Sequence, residues 1–223
     1  MTERRYVATN HEACFNNVQL SGVLESNFEY SHNFACENFY KNRVRVARLS
    51  GTEDFVPVII SEFLLSDIKA HTLKGKRVEV EGQFRSHNKI LENGKGMLEL
   101  FVFATSIKVN EEGNGETDPQ SDYNKVFLEG YICKPTVYRV TPFGREITEV
   151  KIVVNRRFGK CDFIPCITWG RIAQNAFKLQ MGEKIRLEGR FQSREYTKRL
   201  GDSGEEETRT AYEVSVSSFK KIE

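Results

Sequence analysis

An internal repeat limits the folds that this chain can adopt. Residues 54–60 read DFVPVII and residues 162–168 read DFIPCIT, so these two segments start 108 residues apart. Residues 81–86 read EGQFRS and recur as EGRFQS at residues 188–193, 107 residues further on. Motifs that recur in the same order at nearly constant spacing indicate two tandem copies of one small domain.

The segment between the copies has the composition of a linker. It reads NEEGNGETDPQSD, is polar and acidic, contains Gly and Pro, and shows no hydrophobic periodicity. We therefore expect a first domain at residues 1–109, an acidic polar linker at residues 110–122, and a second domain at residues 123–223.

Each copy is dominated by segments in which apolar and polar residues alternate with a period of two. This alternation, with β-branched residues and with Gly, Pro or charge at the ends, is typical of strands. The predicted strands of the second copy are Lys125–Cys133, Glu146–Asn155, Cys161–Trp169, Lys184–Arg194 and Thr210–Phe219.

One segment per copy has helical spacing instead. In Arg171–Met181 the apolar residues fall at helical intervals and Gly182 follows as a stop. The first copy has a matching helix in Glu62–Leu73, which Gly75 ends. Three strands, a helix and two further strands favour an all-β fold of two tandem OB folds, which are five-stranded Greek-key barrels with one short helix between strands 3 and 4. A general β-sandwich is the structural rival.

Glycines recur inside the predicted strands of both copies. Gly22 matches Gly130, and Gly82 matches Gly189. Such glycines mark sharp bends where a small sheet curls until it closes.

Composition excludes several classes of function. The net charge is only +2 at pH 7, so the total charge does not indicate nucleic-acid binding and local clusters must be considered. We find no apolar run of roughly 20 residues and no apolar core after the charged N-terminus, so we expect a cytoplasmic protein without membrane contact. The histidines are scattered, Cys161 and Cys166 lack metal-site spacing, and no phosphate loop or nucleophile elbow occurs. We expect no enzymatic activity, no cofactor, no metal and no small-molecule substrate.

The second copy resembles the bacterial single-stranded-DNA-binding protein family. The resemblance lies in the run VNRRFGKCDFIPCITWGRIAQN at residues 154–175, followed by GEKIRLEGRFQSREY at residues 182–196, and in the opening NKVFLEGYICKPTVYRVTPFG at residues 124–144. It covers nearly all of residues 124–220, whereas the first copy shows it weakly. The resemblance implies OB folds that bind single-stranded DNA in replication, recombination and repair. It also implies assemblies of four OB folds, which a tandem chain reaches as a homodimer.

The resemblance implies stacking positions in the second copy. Bases of any sequence can stack on aromatic rings, with about 1–3 kcal/mol for each stack. The positions that match the family motif are Phe158, Phe163, Trp169 and Tyr196. For each of them the alternative is an aromatic that packs in the core or against a hairpin, above all for Phe163, which lies in a strongly apolar strand.

Basic residues accompany these aromatics and provide candidate phosphate contacts. For any one of them the alternative is a solvated charge on the surface. In the second copy they are Arg156, Arg157, Lys160, Arg171, Arg190, Arg194 and Lys198.

The first copy lacks most of the aromatic positions. Phe158 corresponds to Ser50, Trp169 to Ser61, and Tyr196 to Lys89. Only Phe163 corresponds to an aromatic residue of the first copy, Phe55. Basic residues remain, and those that we include in the candidate site are Arg48, Arg85 and Lys89. The first domain therefore either binds the strand weakly through phosphates or has become mainly an assembly surface.

An aromatic-rich stretch distinguishes the first copy. Residues 25–42, ESNFEYSHNFACENFYKN, hold five aromatics in what should connect the first two strands. They could form a substitute stacking surface, form a subunit contact, or pack on their own barrel.

The leading hypothesis is a general single-stranded-DNA-binding protein. One alternative is a primosome-type or RNA-binding tandem OB protein. The other is an interaction scaffold that no longer binds nucleic acid well, which the missing aromatics of the first copy favour.

Overall fold

Strands with alternating burial make up most of the computed structural model. It describes residues 13–68, 72–90, 94, 96–110, 115–200 and 205–222, without the side chains of residues 196–200 and 205–209. In the strand Cys161–Trp169, the side chains of Asp162, Ile164 and Cys166 are buried, whereas those between them are at least partly exposed. Period-2 alternation thus separates a barrel interior from an outer surface.

The elements repeat in the same order in the two halves. Those of the first half are β1 (Asn16–Leu24), β2 (Glu29–Phe34), β3 (Glu37–Ala47), β4 (Glu53–Ser61), α1 (Glu62–Ser66), β5 (Arg77–Ile90) and β6 (Gly96–Asn110). Those of the second half are β7 (Tyr123–Ile132), β8 (Val137–Val140), β9 (Glu146–Asn155), β10 (Cys161–Trp169), α2 (Arg171–Ala176), β11 (Lys184–Leu200) and β12 (Glu205–Ile222).

Five strands close a barrel in each half. In the first half β1 pairs with β3 and β5, β3 with β4, and β5 with β6, all antiparallel, and the parallel pair of β4 and β6 completes the ring. In the second half β7, β9, β10, β12 and β11 form the same ring, with β10 and β12 parallel. Each helix lies between the third and fourth barrel strands, so the predicted pair of OB folds is confirmed.

The repeated glycines allow the strands to approach closely where the barrels bend. A Cβ atom at Gly82 would lie 2.4 Å from the Phe103 carbonyl oxygen, and one at Gly189 would lie 2.4 Å from that of Ser215. The pairing register shifts immediately before each of these two glycines. A β-bulge increases the local twist, and a residue without a side chain lets the neighbouring backbone pass.

Both helices are shorter than the sequence predicts. We expected Arg171–Met181, but α2 ends at Ala176 and the chain continues in turns, in which the Leu179 N–H donates to the Ala176 carbonyl. Leu179 is still buried, so the helical spacing reflects burial rather than a continuous α-helix. The expected helix Glu62–Leu73 is reduced to α1, and residues 69–71 lie outside the described part of the chain.

Two short strands were not predicted. β2 and β8 each form a hairpin with the next strand, β3 and β9. The aromatic-rich residues 25–42 therefore form mainly a hairpin that extends from the first barrel, rather than an irregular connection.

The two barrels are joined by a shared sheet. β1 pairs antiparallel with β7 from Asn16 opposite Leu128 to Ser21 opposite Tyr123. This pairing gives a continuous run of strands β6-β5-β1-β7-β11-β12. At the junction the buried rings of Phe84 and Phe191 lie 4.4 Å apart between centroids.

The repeated sequence motifs meet across this junction. The Ser86 N–H donates to the Asp162 carboxylate at 2.6 Å, and the Phe163 N–H donates to Ser86 Oγ at 2.8 Å. The same two hydrogen bonds occur with the halves exchanged. The Ser193 N–H donates to Asp54 at 3.1 Å, and the Phe55 N–H donates to Ser193 Oγ at 3.0 Å. In each half, the segment that begins with Asp-Phe (residues 54–60 or 162–168) is here called the DF motif. Each DF motif is thus held by the serine that ends the segment EGQFRS or EGRFQS of the other half.

The described part of the segment between the halves lies against the first barrel. Asp122 accepts a hydrogen bond from the Ala47 N–H at 2.9 Å and forms an ion pair with Arg77. Thr117 Oγ1 donates to Glu53 at 2.6 Å, and Arg45 donates to the Gly115 carbonyl at 3.2 Å. Residues 115–122 are therefore fixed to one barrel by their polar groups.

Candidate nucleic-acid interface

The outer face of β9 and β10 carries aromatic and cationic side chains next to each other. Phe163 and Trp169 both point outward from β10, and Trp169 is 37 % exposed. From β9, Lys151 places its Nζ 5.7 Å from the centre of the Phe163 ring. Phe163 is thus a partly exposed ring beside a positive charge. It does not pack in the barrel core, which was the alternative to a stacking role.

The connection between β9 and β10 presents the most exposed aromatic of this face. Phe158 is 96 % exposed and has a φ angle of +64°. The left-handed region costs a residue with a Cβ atom roughly 1–2 kcal/mol. Arg157 and Lys160, on either side of Phe158, are also exposed. The turn therefore holds a solvent-exposed ring between two cations, although neither burial nor backbone preference favours that arrangement.

A second exposed pair lies where β10 ends. Trp169 is followed by Gly170, whose φ angle of +54° favours glycine, and then by the exposed Arg171 at the start of α2. This glycine turns the chain sharply after the tryptophan, so that Trp169 and Arg171 stand at the same end of the barrel.

Arg156 is held by a buried carboxylate instead of facing solvent freely. It forms an ion pair with Asp162, whose side chain is fully buried, while its own side chain remains 27 % exposed. From the other half, Arg85 lies 3.6 Å from the same carboxylate. Desolvation by burial lowers the pKa of Arg85, Asp162 raises it, and the neighbouring Arg156 lowers it again.

The first half repeats this ion pair. Arg48 pairs with the buried Asp54, and hydrogen bonding to this carboxylate raises the pKa of Arg48. Arg190, from β11 of the second half, is half-buried close by, and burial followed by repulsion from Arg48 lowers its pKa. Four of the predicted phosphate contacts, Arg48, Arg85, Arg156 and Arg190, thus lie at the junction of the two barrels.

The remaining predicted cations lie on the long hairpins of each half. Arg194 on β11 is exposed, with its Nε 3.8 Å from Glu213. Lys89 on β5 is exposed and lies 3.6 Å from Glu99. The side chains of Tyr196 and Lys198 lie outside the described residues, although both residues belong to β11.

The first barrel retains a reduced version of the outer face. Phe55 is partly exposed on β4, and the guanidinium carbon of Arg43 lies 6.0 Å from the centre of its ring. This arrangement matches that of Lys151 and Phe163, because Arg43 and Lys151 are also 108 residues apart. Ser61, at the position of Trp169, instead caps α1 by accepting a hydrogen bond from the Leu64 N–H.

The candidate site predicted from the sequence does not include the two cations that lie beside Phe55 and Phe163, although Arg43 is one of the basic residues that remain in the first copy. The repeat offset could have identified Arg43 and Lys151, because both are basic and lie on the strand that precedes the aromatic. A contact between the halves was also missed, in which Lys160 Nζ lies 5.7 Å from the centre of the Phe34 ring. The repeat does not mark this contact, because the offset of 108 residues places a proline, Pro142, at the position of Phe34.

The described residues form neither a metal-binding cluster nor a membrane-spanning helix. Within the described ranges, no group of three or more His, Cys, Asp or Glu side chains is arranged to hold a metal ion. No helix in the same part of the chain is long and apolar enough to cross a membrane.

Comparison with known proteins identifies the second barrel. The model of the single-strand binding protein family matches residues 123–222. These residues form a domain of that family. The domain includes β9, β10 and their connection, and therefore every element of the aromatic and cationic face of the second half.

A curated relative supports this assignment. Single-stranded DNA-binding protein A of Bacillus subtilis (strain 168) is 35% identical over 85 residues, which are 35% of this chain and 49% of that protein. The chain therefore spans about half the length of the curated relative that it matches.

Solved structures extend the similarity to both halves. The wild-type single-stranded DNA binding protein from Thermus aquaticus superposes with a TM-score of 0.72 at 19% identity, over 95% of this chain and 95% of that chain. A deletion mutant of the same Thermus protein gives a TM-score of 0.72 at 19% identity over 94% of this chain and 95% of its own. At this identity the likeness shows the fold, so the tandem pair of OB folds is shared over nearly the whole chain.

Proposed function

We propose that this chain binds single-stranded DNA without sequence preference and protects it in the cytoplasm during replication, recombination and repair. The observation that carries the proposal is the face of β9, β10 and their connection, where Phe158, Phe163 and Trp169 point outward among cations. A single strand exposes the faces of its bases, and such a surface can hold those bases and the phosphates at once. No bond needs to be broken for this task, so the protein acts by binding and not as an enzyme.

In this proposal the bases stack on Phe158, Phe163, Trp169 and Tyr196. Each stack contributes about 1–3 kcal/mol and depends little on the identity of the base. Phe158 is the most accessible of the described rings, and its backbone lies in the left-handed region. Strain of this kind is typical of residues that are held in place for binding.

We assign the phosphate contacts to cations that stand on the surface. Binding of phosphates by Lys and Arg releases counterions and therefore weakens as the salt concentration rises. Exposed cations keep their charge available, whereas an arginine that neutralises a buried carboxylate offers less net charge to a phosphate. The proposed contacts in the second half are the exposed Arg157, Lys160, Arg171 and Arg194 and the partly exposed Lys151. Lys198 is proposed from its place in the sequence, because its side chain lies outside the described residues.

Arg48, Arg85, Arg156 and Arg190 have a different role in this proposal. Arg48 and Arg156 pair with the buried Asp54 and Asp162, and the residue after each aspartate is Phe55 or Phe163. These ion pairs fix the starts of β4 and β10, and with them the orientation of the two phenylalanine rings. The four arginines thus position the binding surface from the junction of the barrels.

The first barrel binds the strand more weakly in this scheme. Phe55 and Arg43 offer one stacking ring and one cation, and Lys89 adds a charge on the long hairpin. Ser50 and Ser61 stand where the second barrel has Phe158 and Trp169. We assign the two binding units to residues 1–109 and 123–223.

We also propose that the chain forms a homodimer with four OB folds. The outer face of the shared sheet carries exposed charges of both signs, including Glu79, Glu81, Lys125 and Glu188. Mixed charges on one face can complement each other across a twofold axis. Light scattering on the purified protein should give about twice the chain mass of 25.7 kDa, and a mass of one chain at micromolar concentration would refute the homodimer.

The only tryptophan of the chain, Trp169, gives a direct test of the binding mode. Tryptophan fluorescence would be followed during titration with oligo-dT and with a duplex of equal length, at low and high salt. The proposal predicts strong quenching by oligo-dT and little by the duplex. If neither ligand changes the signal and a gel shift is also blank, single-strand binding is refuted and an interaction scaffold becomes the better account.

A further inference from the structure

The hairpin of β2 and β3 reaches from the first barrel to the binding face of the second. At its tip, Phe34 is 63 % exposed, and Lys160 Nζ lies 5.7 Å from the centre of its ring. Lys160 belongs to the connection of β9 and β10 that also carries Phe158, two residues before it. Two largely exposed aromatics, one from each half, thus adjoin the same short connection and its lysine.

The hairpin is held firmly enough to place this ring. Its turn, Ala35 and Cys36, has φ angles of +50° and +64°, which is the conformation of a tight two-residue hairpin. Nearer the barrel, the buried Phe39 stacks on His32 at 5.0 Å and contacts Phe103 at 5.8 Å between ring centres. The strands are therefore anchored in the first barrel, and the tip projects beyond it.

Side-chain amides also fasten the hairpin to the helix. Asn33 donates to Asn38 Oδ1 at 2.9 Å, and Asn38 donates to Glu62 Oε2 on α1 at 2.9 Å. A hairpin that is fixed at its base and in its middle loses little conformational entropy when its tip binds a ligand, which favours binding.

Burial does not explain why a phenylalanine stands at this tip. With almost two thirds of the side chain exposed, Phe34 contributes little to a core, and its described neighbour from the other half is a cation. An exposed ring with a lysine beside it has the composition of a stacking platform with a phosphate contact.

We infer that Phe34 is a stacking platform for single-stranded DNA, and that the first barrel thereby completes the binding site of the second barrel. This inference rests on the proposed function. The strand would pass from Phe158 over Lys160 to Phe34, so that bases lie on rings from both halves while the lysine contacts the phosphate between them. The first half thus contributes to binding through its hairpin, although its own outer face lacks most of the aromatic positions.

Affinity measurements test the role of Phe34. Anisotropy of a labelled oligo-dT would be titrated with the wild type, Phe34→Ala, Phe34→Trp and, as a matched control, Leu49→Ala. Leu49 is an apolar side chain of the first half that is 87 % exposed and has no part in the proposed site. One lost stack weakens binding by about fivefold or more. We expect this loss for Phe34→Ala, wild-type affinity for Leu49→Ala, and recovery for Phe34→Trp, with thermal unfolding unchanged in all variants.

A fluorescence measurement separates stacking from an indirect effect on Lys160. In a Trp169→Phe background, Phe34→Trp or Leu49→Trp carries the only tryptophan. Oligo-dT at saturation, which anisotropy establishes independently, should quench the tryptophan at position 34 and leave that at position 49 nearly unchanged.

The outcomes distinguish failure of this inference from failure of the proposed function. If the wild type binds oligo-dT, Phe158→Ala weakens binding and Phe34→Ala does not, the hairpin is not part of the site. If Phe34→Ala weakens binding but a tryptophan at position 34 is not quenched, the ring only supports Lys160 and the stacking role is wrong. If the wild type itself binds no oligonucleotide, the proposed function fails first.

Discussion

At the scale of single residues, Phe158 shows how binding and stability can oppose each other. The ring is almost fully exposed, and the backbone occupies the left-handed region, which disfavours residues with a Cβ atom. Folding alone would favour a glycine at this position, as at the next residue, Gly159, where φ is +71°. The phenylalanine is therefore best explained by contact with a ligand.

Replacement of Phe158 by glycine should separate the two properties. We expect the free energy of unfolding to stay the same or to rise by up to about 1 kcal/mol, because glycine relieves the backbone strain but also adds freedom to the unfolded chain. Affinity for oligo-dT should fall by about fivefold or more, because one stack is lost. Urea unfolding and anisotropy titration of Phe158→Gly measure the two effects. Wild-type affinity in this variant would contradict the assignment of Phe158.

The buried aspartates are the second residue-scale determinant. Asp162 accepts the Ser86 N–H across the junction and balances Arg156 and Arg85. Asp162→Asn keeps an oxygen for Ser86 but leaves two partly buried guanidinium groups without a counter-charge. Since Arg156 remains partly exposed, the loss of stability should be below that of a fully buried pair, at about 2 kcal/mol.

A matched control is available in the same half. The ion pair of Arg139 and Glu149 has both side chains about half exposed, so Glu149→Gln should change the free energy of unfolding by less than about 0.5 kcal/mol. Urea unfolding of both variants checks the prediction, and equal effects would show that the Asp162 ion pair does not hold the junction.

At the scale of elements, the bulges at Gly82 and Gly189 determine how each barrel closes. A methyl group at Gly189 would meet the Ser215 carbonyl oxygen at 2.4 Å, and this backbone atom cannot rotate away as the end of a side chain can. Gly189→Ala should therefore lower the free energy of unfolding by about 2 kcal/mol.

Gly96→Ala provides the control for that substitution, because no described atom outside the two neighbouring residues lies within 4 Å of the added methyl group. Thermal unfolding of the two variants gives the comparison. If Gly189→Ala were as stable as Gly96→Ala, close approach of the strands would not be the reason for this glycine.

The elements also show what local sequence patterns can predict. Period-2 alternation located β9 and β10 at the bounds that the structure has, because one side of each strand faces a closed interior. Helical spacing overestimated α2, because Leu179 is buried in a turn and not on a longer helix. β2 and β8 gave no signal, because their side chains are mostly exposed and no buried face imposes a pattern.

The candidate site was predictable to a similar extent. The exposed positions of Phe158 and Trp169 agree with the expectation from the family resemblance, although their contact with DNA remains a prediction. The junction arginines could not be distinguished from surface arginines, because a buried carboxylate partner such as Asp54 is revealed only when the chain is folded. The position of Phe34 next to Lys160 depends on how the two halves pair, which local patterns do not contain.

At the scale of the whole molecule, the tandem arrangement makes two unequal barrels into one body. β1 and β7 share a sheet, and each DF motif is held by a serine of the other half. A fixed arrangement of the barrels keeps the β2–β3 hairpin beside the β9–β10 connection, so that one strand of DNA can follow both. The loss of aromatic positions in the first barrel is then compatible with a continuous site.

The salt response should reflect a site of this composition. Contacts between cations and phosphates weaken as salt rises, whereas stacked bases are affected much less. We expect affinity for oligo-dT to decrease between low and high salt without being abolished.

The main prediction for the whole molecule is that the folded chain recognises exposed bases rather than nucleic acid in general. Its most direct test is an equilibrium competition, in which the labelled oligo-dT bound to the protein is displaced by unlabelled oligo-dT or by unlabelled duplex of the same length at high salt. We expect oligo-dT to displace the label at concentrations at least about a hundredfold lower than the duplex does, because a duplex keeps its bases stacked and unavailable. Equal displacement by the two competitors would contradict it, and would leave only attraction between cations and phosphates.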